Sequence, residues 1–230
     1  MVNWNQKLKG LLNLFLESQC PLCQRSTAKD FCPDCQRQLI RCQIAKPEKF
    51  WRGELPIFAW GIYGGALKRA LAVLKYENQP QVAQVLGYWL ADAWGKSSFA
   101  SKGDLTVVPI PLHPKKQQER GYNQAELLAE SFCQVTGLSL ARHGLERVRE
   151  TEALFSMSAV EREENLAAAF TLGKGFRRRI PKTPILLLDD IYTTGATARA
   201  SALVLRQHGM KVFGIVAIAT PRSESFSSTP

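Results

Sequence analysis

The sequence predicts an α/β fold, a mostly parallel sheet flanked by helices with a small cysteine-bearing module ahead of it. Three observations carry that expectation. From Ile57 onward, short apolar runs suited to buried strands alternate with segments of helical period. One such run ends in two acids and a Gly turn that opens a helix, and four of the six cysteines crowd between Cys20 and Cys35. At 230 residues, 45% apolar and 22% charged, the chain can bury one substantial core, which excludes general disorder and a large multidomain machine.

Taken in order, Trp4, Leu8, Leu11, Leu12, Phe15 and Leu16 recur at helical spacing with Lys7 and Lys9 on other faces. This predicts a short amphipathic helix packed on its own protein, with peripheral association at a membrane surface as the alternative. After the cysteines, IFAWGIY from Ile57 reads as a strand, Leu67, Leu71 and Leu74 mark a helix, and Val82 to Trp94 another. GKSSFASKG (95–103) is a polar linker. Then come a strand at Leu105 to Val108, a helix near Gln124 to Val135, a helix from about Val160, a strand at Ile185 to Leu188, a helix at Ala196 to His208 and a strand at Val212 to Ala219. SESFSSTP reads as a frayed tail. The implied division is 1–50 for the N-terminal helix and cysteine module, 51–222 for the α/β domain, and 223–230 for the tail.

No apolar run approaches the ~20 residues of a membrane span, and no signal-peptide pattern opens the chain, so it reads as cytoplasmic. The formal charge is +10, and it is uneven: residues 1–103 carry 14 basic and 7 acidic groups, residues 104–230 carry 16 and 13. An anionic partner is consistent with this, as is a merely basic surface.

Cys20, Cys23, Cys32 and Cys35 form C-x2-C-x8-C-x2-C. Each C-x2-C turn can offer two thiolates from one knuckle, and the short loop brings both knuckles around a single ion, Zn²⁺ favoured. Two disulfides, or iron in the same sulfur cage, are the rival readings. Cys42 and Cys133 stand apart and read as packing thiols.

ILLLDDIYTTGATA, Ile185 to Ala198, joins a buried-strand run, Asp189 and Asp190, a Thr193-Thr194-Gly195 turn, and then Ala196 and Thr197 opening a helix. Acids at the carboxyl end of a central strand stand where open α/β sheets bind ligands and can accept hydrogen bonds from ribose hydroxyls. The hydroxyls, the Gly turn and the helix N-terminus together suit a sugar phosphate. This segment closely resembles the phosphoribosyl pyrophosphate (PRPP) motif of type I phosphoribosyltransferases.

VVPIPLHPKKQQERGYNQAELLA, Val107 to Ala129, runs from a strand through a basic, Pro-punctuated loop into a helix, with Asn123 and Gln124 as capping and turn residues. With the cysteine knuckles and YGGALKRALAVLKY, Tyr63 to Tyr76, it resembles the ComF family of competence-associated proteins over nearly the whole chain. That resemblance implies a type I phosphoribosyltransferase-like domain behind a zinc module. It implies PRPP bound with Mg²⁺, the pyrophosphate facing Pro109 to His113 with Lys115, Lys116 and Arg120 close by. A catalytic loop would carry Arg147, Arg149, Thr151, Ser158, Arg162 and Asn165, with Leu154 where Gln is expected. Asp189, Asp190, Arg147 and Arg149 would then be the catalytic group.

Membership implies handling or uptake of single-stranded DNA in natural transformation, alongside the DNA-uptake machinery, with Trp51, Trp60, Tyr63 and Tyr76 able to stack on bases if exposed. The alternative is an active phosphoribosyltransferase with an unidentified acceptor base or amine.

Overall fold

The computed structural model describes residues 18–101, 103–149 and 168–221. The apolar stripe at Trp4 to Leu16, the helix expected from Val160, the tail, and Thr151, Leu154, Ser158, Arg162 and Asn165 lie outside those residues.

The cysteine segment opens with two short antiparallel strands, β1 (Ser18–Gln19) and β2 (Ser26–Thr27), followed by α1 (Pro33–Ile40) with Pro at its first position. A 3₁₀ turn, Pro47–Phe50, leads to β3 (Ile57–Ile62). Helices α2 (Gly65–Tyr76) and α3 (Gln81–Gly95) precede β4 (Thr106–Pro109). The basic stretch expected as a loop is largely a helix, α4 (Pro114–Arg120), begun by a proline whose fixed φ suits a first turn. Next come α5 (Gln124–Thr136), β5 (Ser139–Leu140) and β6 (Leu145–Arg147). After β7 (Phe170–Leu172) and α6 (Lys174–Arg178) stand β8 (Ile185–Ile191), α7 (Ala196–Gln207) and β9 (Val212–Thr220).

Five strands form one sheet in the order β3-β9-β8-β4-β5, every neighbouring pair parallel. The expected α/β class is therefore the observed one. Strand residues alternate between faces, and so does the core. Leu186, Leu188, Val107 and Phe58 face α2, α3 and α5, whereas Ile185, Leu187, Val108 and Ile57 face α7 and the antiparallel ribbon β6–β7. Helices α3 and α5 approach so closely that a Cβ on Gly87 would stand 2.8 Å from the Leu128 carbonyl oxygen, which only glycine permits.

The cysteine segment is fused to this core rather than tethered to it. Cys20, Leu22, Phe31, Cys35 and Leu39 are buried in the same cluster as Trp60 and Leu86. The chain after α1 runs antiparallel along the sheet's edge strand, with Ile44 N–H donating to the Trp60 carbonyl at 2.8 Å and Ile62 N–H to the Cys42 carbonyl at 2.8 Å. That pairing covers the free edge of β3.

Candidate functional site

Two clusters of chemistry emerge. In the first, the Sγ atoms of Cys20, Cys23, Cys32 and Cys35 all lie within 4.8 Å of one another. A tetrahedron with metal–sulfur bonds of about 2.3 Å has edges of about 3.8 Å, so the cage fits a tetrahedral ion. All four are free thiols, and the Cys23–Cys32 sulfur separation of 3.5 Å is far outside a disulfide bond. Arg25, through its main chain and then its guanidinium, pulls the Cys23 thiol down to about 6, while burial pushes Cys35 up. Arg25 in turn pairs with Asp34 at 2.9 Å on the surface. Cys42 and Cys133 lie outside the cage; burial in α5 pushes the Cys133 thiol up to about 12, as befits a packing residue.

The second cluster is the carboxyl end of β8. The strand continues three residues beyond the expected Leu188, through both acids to Ile191, because Asp189 and Ile191 stay in register with Ala217 and Ala219 of β9. Adjacent strand residues point to opposite faces, so the two acids are not equivalent. Asp190, buried, turns toward α2 and α5: Lys75 forms a close ion pair with its Oδ2, and Gln124 Nε2 donates to its Oδ1 at 3.1 Å. Asp189, on the α7 face and partly open to solvent, accepts the Asp190 N–H at 2.8 Å. Close packing around it, and then the neighbouring Asp190 charge, push its carboxyl well above the ordinary range, with Lys75 opposing.

The turn that follows is braced from within. Gly195 has φ +78°, and a Cβ there would stand 2.2 Å from the Tyr192 hydroxyl, so both backbone and space demand glycine. Arg199 Nη1 donates to the Thr194 carbonyl at 2.9 Å. Thr193 and Thr194 are exposed, Ala196 and Thr197 half-buried; Gly195 caps α7 without a side chain, the Ala196 N–H donates to Thr194 Oγ1 at 3.4 Å, and the first-turn amides of a helix have no intrahelical acceptor.

Pro109 closes β4 beside Leu188, so the loop to His113 lies at the same edge. Two buried polar atoms without a hydrogen-bond partner stand along it, His113 Nδ1 and Thr220 Oγ1. Lys115 and Lys116 are exposed on α4, and Arg120 reaches Gln124 Oε1, which ties it to Asp190 through one intervening amide. Arg147 and Arg149 stand instead at the end of β6, the former with its guanidinium 5.4 Å from the Phe170 ring centroid.

Asn123 is the cap of α5, its Oδ1 accepting the Ala125 N–H at 3.0 Å, as its position suggests. Of the aromatics considered for stacking, Trp60 is buried and Trp51 packs against Trp94, Phe99 and Phe213; Tyr63 is half-buried, and Tyr76 is 78% exposed. Sequence reasoning missed Lys75, Gln124 as a partner of Asp190, Tyr192 and Arg199. Lys75 left a signal: it continues the i, i+4 line of Leu67 and Leu71 on the buried stripe of α2, where a lysine needs a counter-charge.

No family model matches the chain. Competence protein F of Haemophilus influenzae is 27% identical over 219 residues, 92% of this chain and 94% of that protein. Competence protein ComFC of Bacillus subtilis is 28% identical over 196 residues, 83% of this chain and 72% of that protein. Among solved structures, an adenine phosphoribosyltransferase from Leishmania tarentolae aligns with 65% of this chain and 74% of its own at 12% identity and a TM-score of 0.39. Over most of its length, therefore, the chain is similar to competence protein F and to competence protein ComFC.

Proposed function

We propose that the chain binds PRPP at the carboxyl end of β8 and serves competence, in the handling of single-stranded DNA. The observation that carries the reading is the strand-to-helix turn at Gly195, braced by Tyr192 and Arg199 directly after two acids that face opposite ways. The 5′-phosphate would sit on Thr193, Thr194, Gly195, Ala196 and Thr197, accepting hydrogen bonds from first-turn amides and hydroxyls. The ribose hydroxyls would meet Asp189 and Asp190. The pyrophosphate would extend toward His113, with Lys115, Lys116 and Arg120 supplying positive charge and Arg147 and Arg149 closing from the ribbon. Mg²⁺ suits the oxygen donors of this edge and would neutralise the pyrophosphate. The role in competence is supported by the names of the two relatives, and the DNA partner by the +10 charge.

The cysteine cage would hold Zn²⁺ as a closed structural site, within a module that spans 1–50 and leans on a PRPP-binding domain at 51–222. Calorimetric titration of PRPP with and without Mg²⁺, on the native chain and on Asp190→Asn, tests the central step. Saturable binding that weakens about tenfold or more in the variant is expected; heats no larger than dilution with Mg²⁺ present would refute it. Pyrophosphate released when bases or amines are added would make the protein a transferase as well.

A further inference from the structure

We infer that Tyr76 and Arg120 form a stacking platform for a nucleobase at the rim of the β8 site. The inference rests on the reading that this edge takes a phosphoribosyl group, and it names what lies beside that group. Tyr76 is the most exposed large apolar side chain among the described residues, at 78%, and the other exposed ones are aliphatic. Its ring has the Arg120 guanidinium 5.8 Å from the centroid. A guanidinium over an aromatic ring covers one ring face and leaves the opposite face as a flat, polarisable surface of the kind on which bases stack.

The backbone that carries Tyr76 is anchored. Tyr122 donates its hydroxyl to the Leu74 carbonyl, and Lys75 pairs with Asp190, so the two residues before Tyr76 are both tied down. Arg120 is oriented by Gln124, and among the described residues no carboxylate lies within ion-pair distance of it. Pre-organisation of this sort lowers the entropic cost of capturing a flat ligand. Position supplies the rest of the case. Lys75 reaches Asp190 from the residue next to Tyr76, and Gln124 links Arg120 to the same carboxylate at 3.1 Å. A base on this surface would therefore adjoin the sugar-binding edge, with Lys115 and Lys116 one turn back along α4 to meet phosphates.

A nucleobase can arrive free or as part of a single strand, and the test separates the two. Fluorescence anisotropy of the full chain with a labelled oligothymidine of about 16 nucleotides is compared with an abasic phosphodiester of equal length, at low salt. Calorimetry at saturating PRPP follows adenine, guanine and uracil. For Tyr76→Ala the expected result is about tenfold weaker binding of the base-bearing strand, no change for the abasic strand, and recovery in Tyr76→Trp. The same pattern confined to a free base would support the platform and make that base the ligand. Equal affinities in native chain and Tyr76→Ala for every probe, or equal losses for base-bearing and abasic strands, overturn it. PRPP titration on the same samples keeps the two readings apart: no PRPP binding with Tyr76-dependent stacking intact refutes the sugar-phosphate site alone, and normal PRPP binding with Tyr76 silent refutes the platform alone.

Discussion

Four thiols within 4.8 Å of one another sit in the cysteine segment, and the cation beside them, Arg25, is on the surface. Two carboxylates stand side by side in sequence at the end of β8, yet Asp190 has Lys75 folded in against it, both side chains largely buried. The first cluster needs an added ion before its thiolates can coexist; the second carries its own counter-charge and leaves its partly open acid, Asp189, facing solvent. On the proposed reading, one region would be filled once and stay closed, and the other would stand ready for a ligand that comes and goes.

Removing metal should produce the largest effect. Structural zinc contributes on the order of 10 kcal/mol to small cysteine sites, and here Phe31 and Leu39 share a core with Trp60. Chelation, or Cys20→Ser with Cys32→Ser, is expected to lower the main melting transition by about 10 °C or more in calorimetry. A separate low-temperature step with the main transition unmoved would show the two regions to be energetically independent. Next comes Lys75→Met, which strands a buried carboxylate and should cost about 3–5 kcal/mol in urea denaturation, most of it recovered in Lys75→Met with Asp190→Asn. A single variant as stable as the native chain would mean that the β8 end does not depend on its internal cation.

The two regions also differ in how far the sequence exposes them. The cage is written within sixteen positions, Cys20 to Cys35, so spacing alone brings its ligands together. The β8 site was legible where it is local, in the acids and the Thr-Thr-Gly turn, and opaque where it is not. Lys75 and Gln124 reach Asp190 across separations of more than a hundred and of 66 residues, distances over which no local pattern operates. Four of the sheet's five strands were readable because strands buried on both faces are continuous apolar runs, and the two-residue β5 was not. The short elements α1, α6 and the β6–β7 ribbon were not, since a few residues carry no period, and α4 was hidden by its charged, unamphipathic composition.

Substitution at the turn should have a smaller effect on stability than loss of Lys75. Gly195→Ala places a methyl group against the Tyr192 hydroxyl at a positive φ, at a cost of about 1–3 kcal/mol, while PRPP affinity falls about tenfold or more. If affinity holds while stability drops, the turn is scaffold and not cradle.

The smallest effect, and the one that most directly separates the two acids, is at Asp189. Its carboxyl is raised in the folded state, so the folded chain holds a proton that the unfolded chain gives up earlier. Stability from this group is then full below the ordinary carboxylate range near 4 and is lost as pH rises through the raised folded value. Asp189→Asn should therefore be more stable than the native chain at neutral pH, with the gap closing toward pH 4. Urea denaturation across that range measures it. A gap that widens on acidification would place the strained charge elsewhere, and the asymmetry between Asp189 and Asp190 would have to be sought in their ligands instead of in the folded chain.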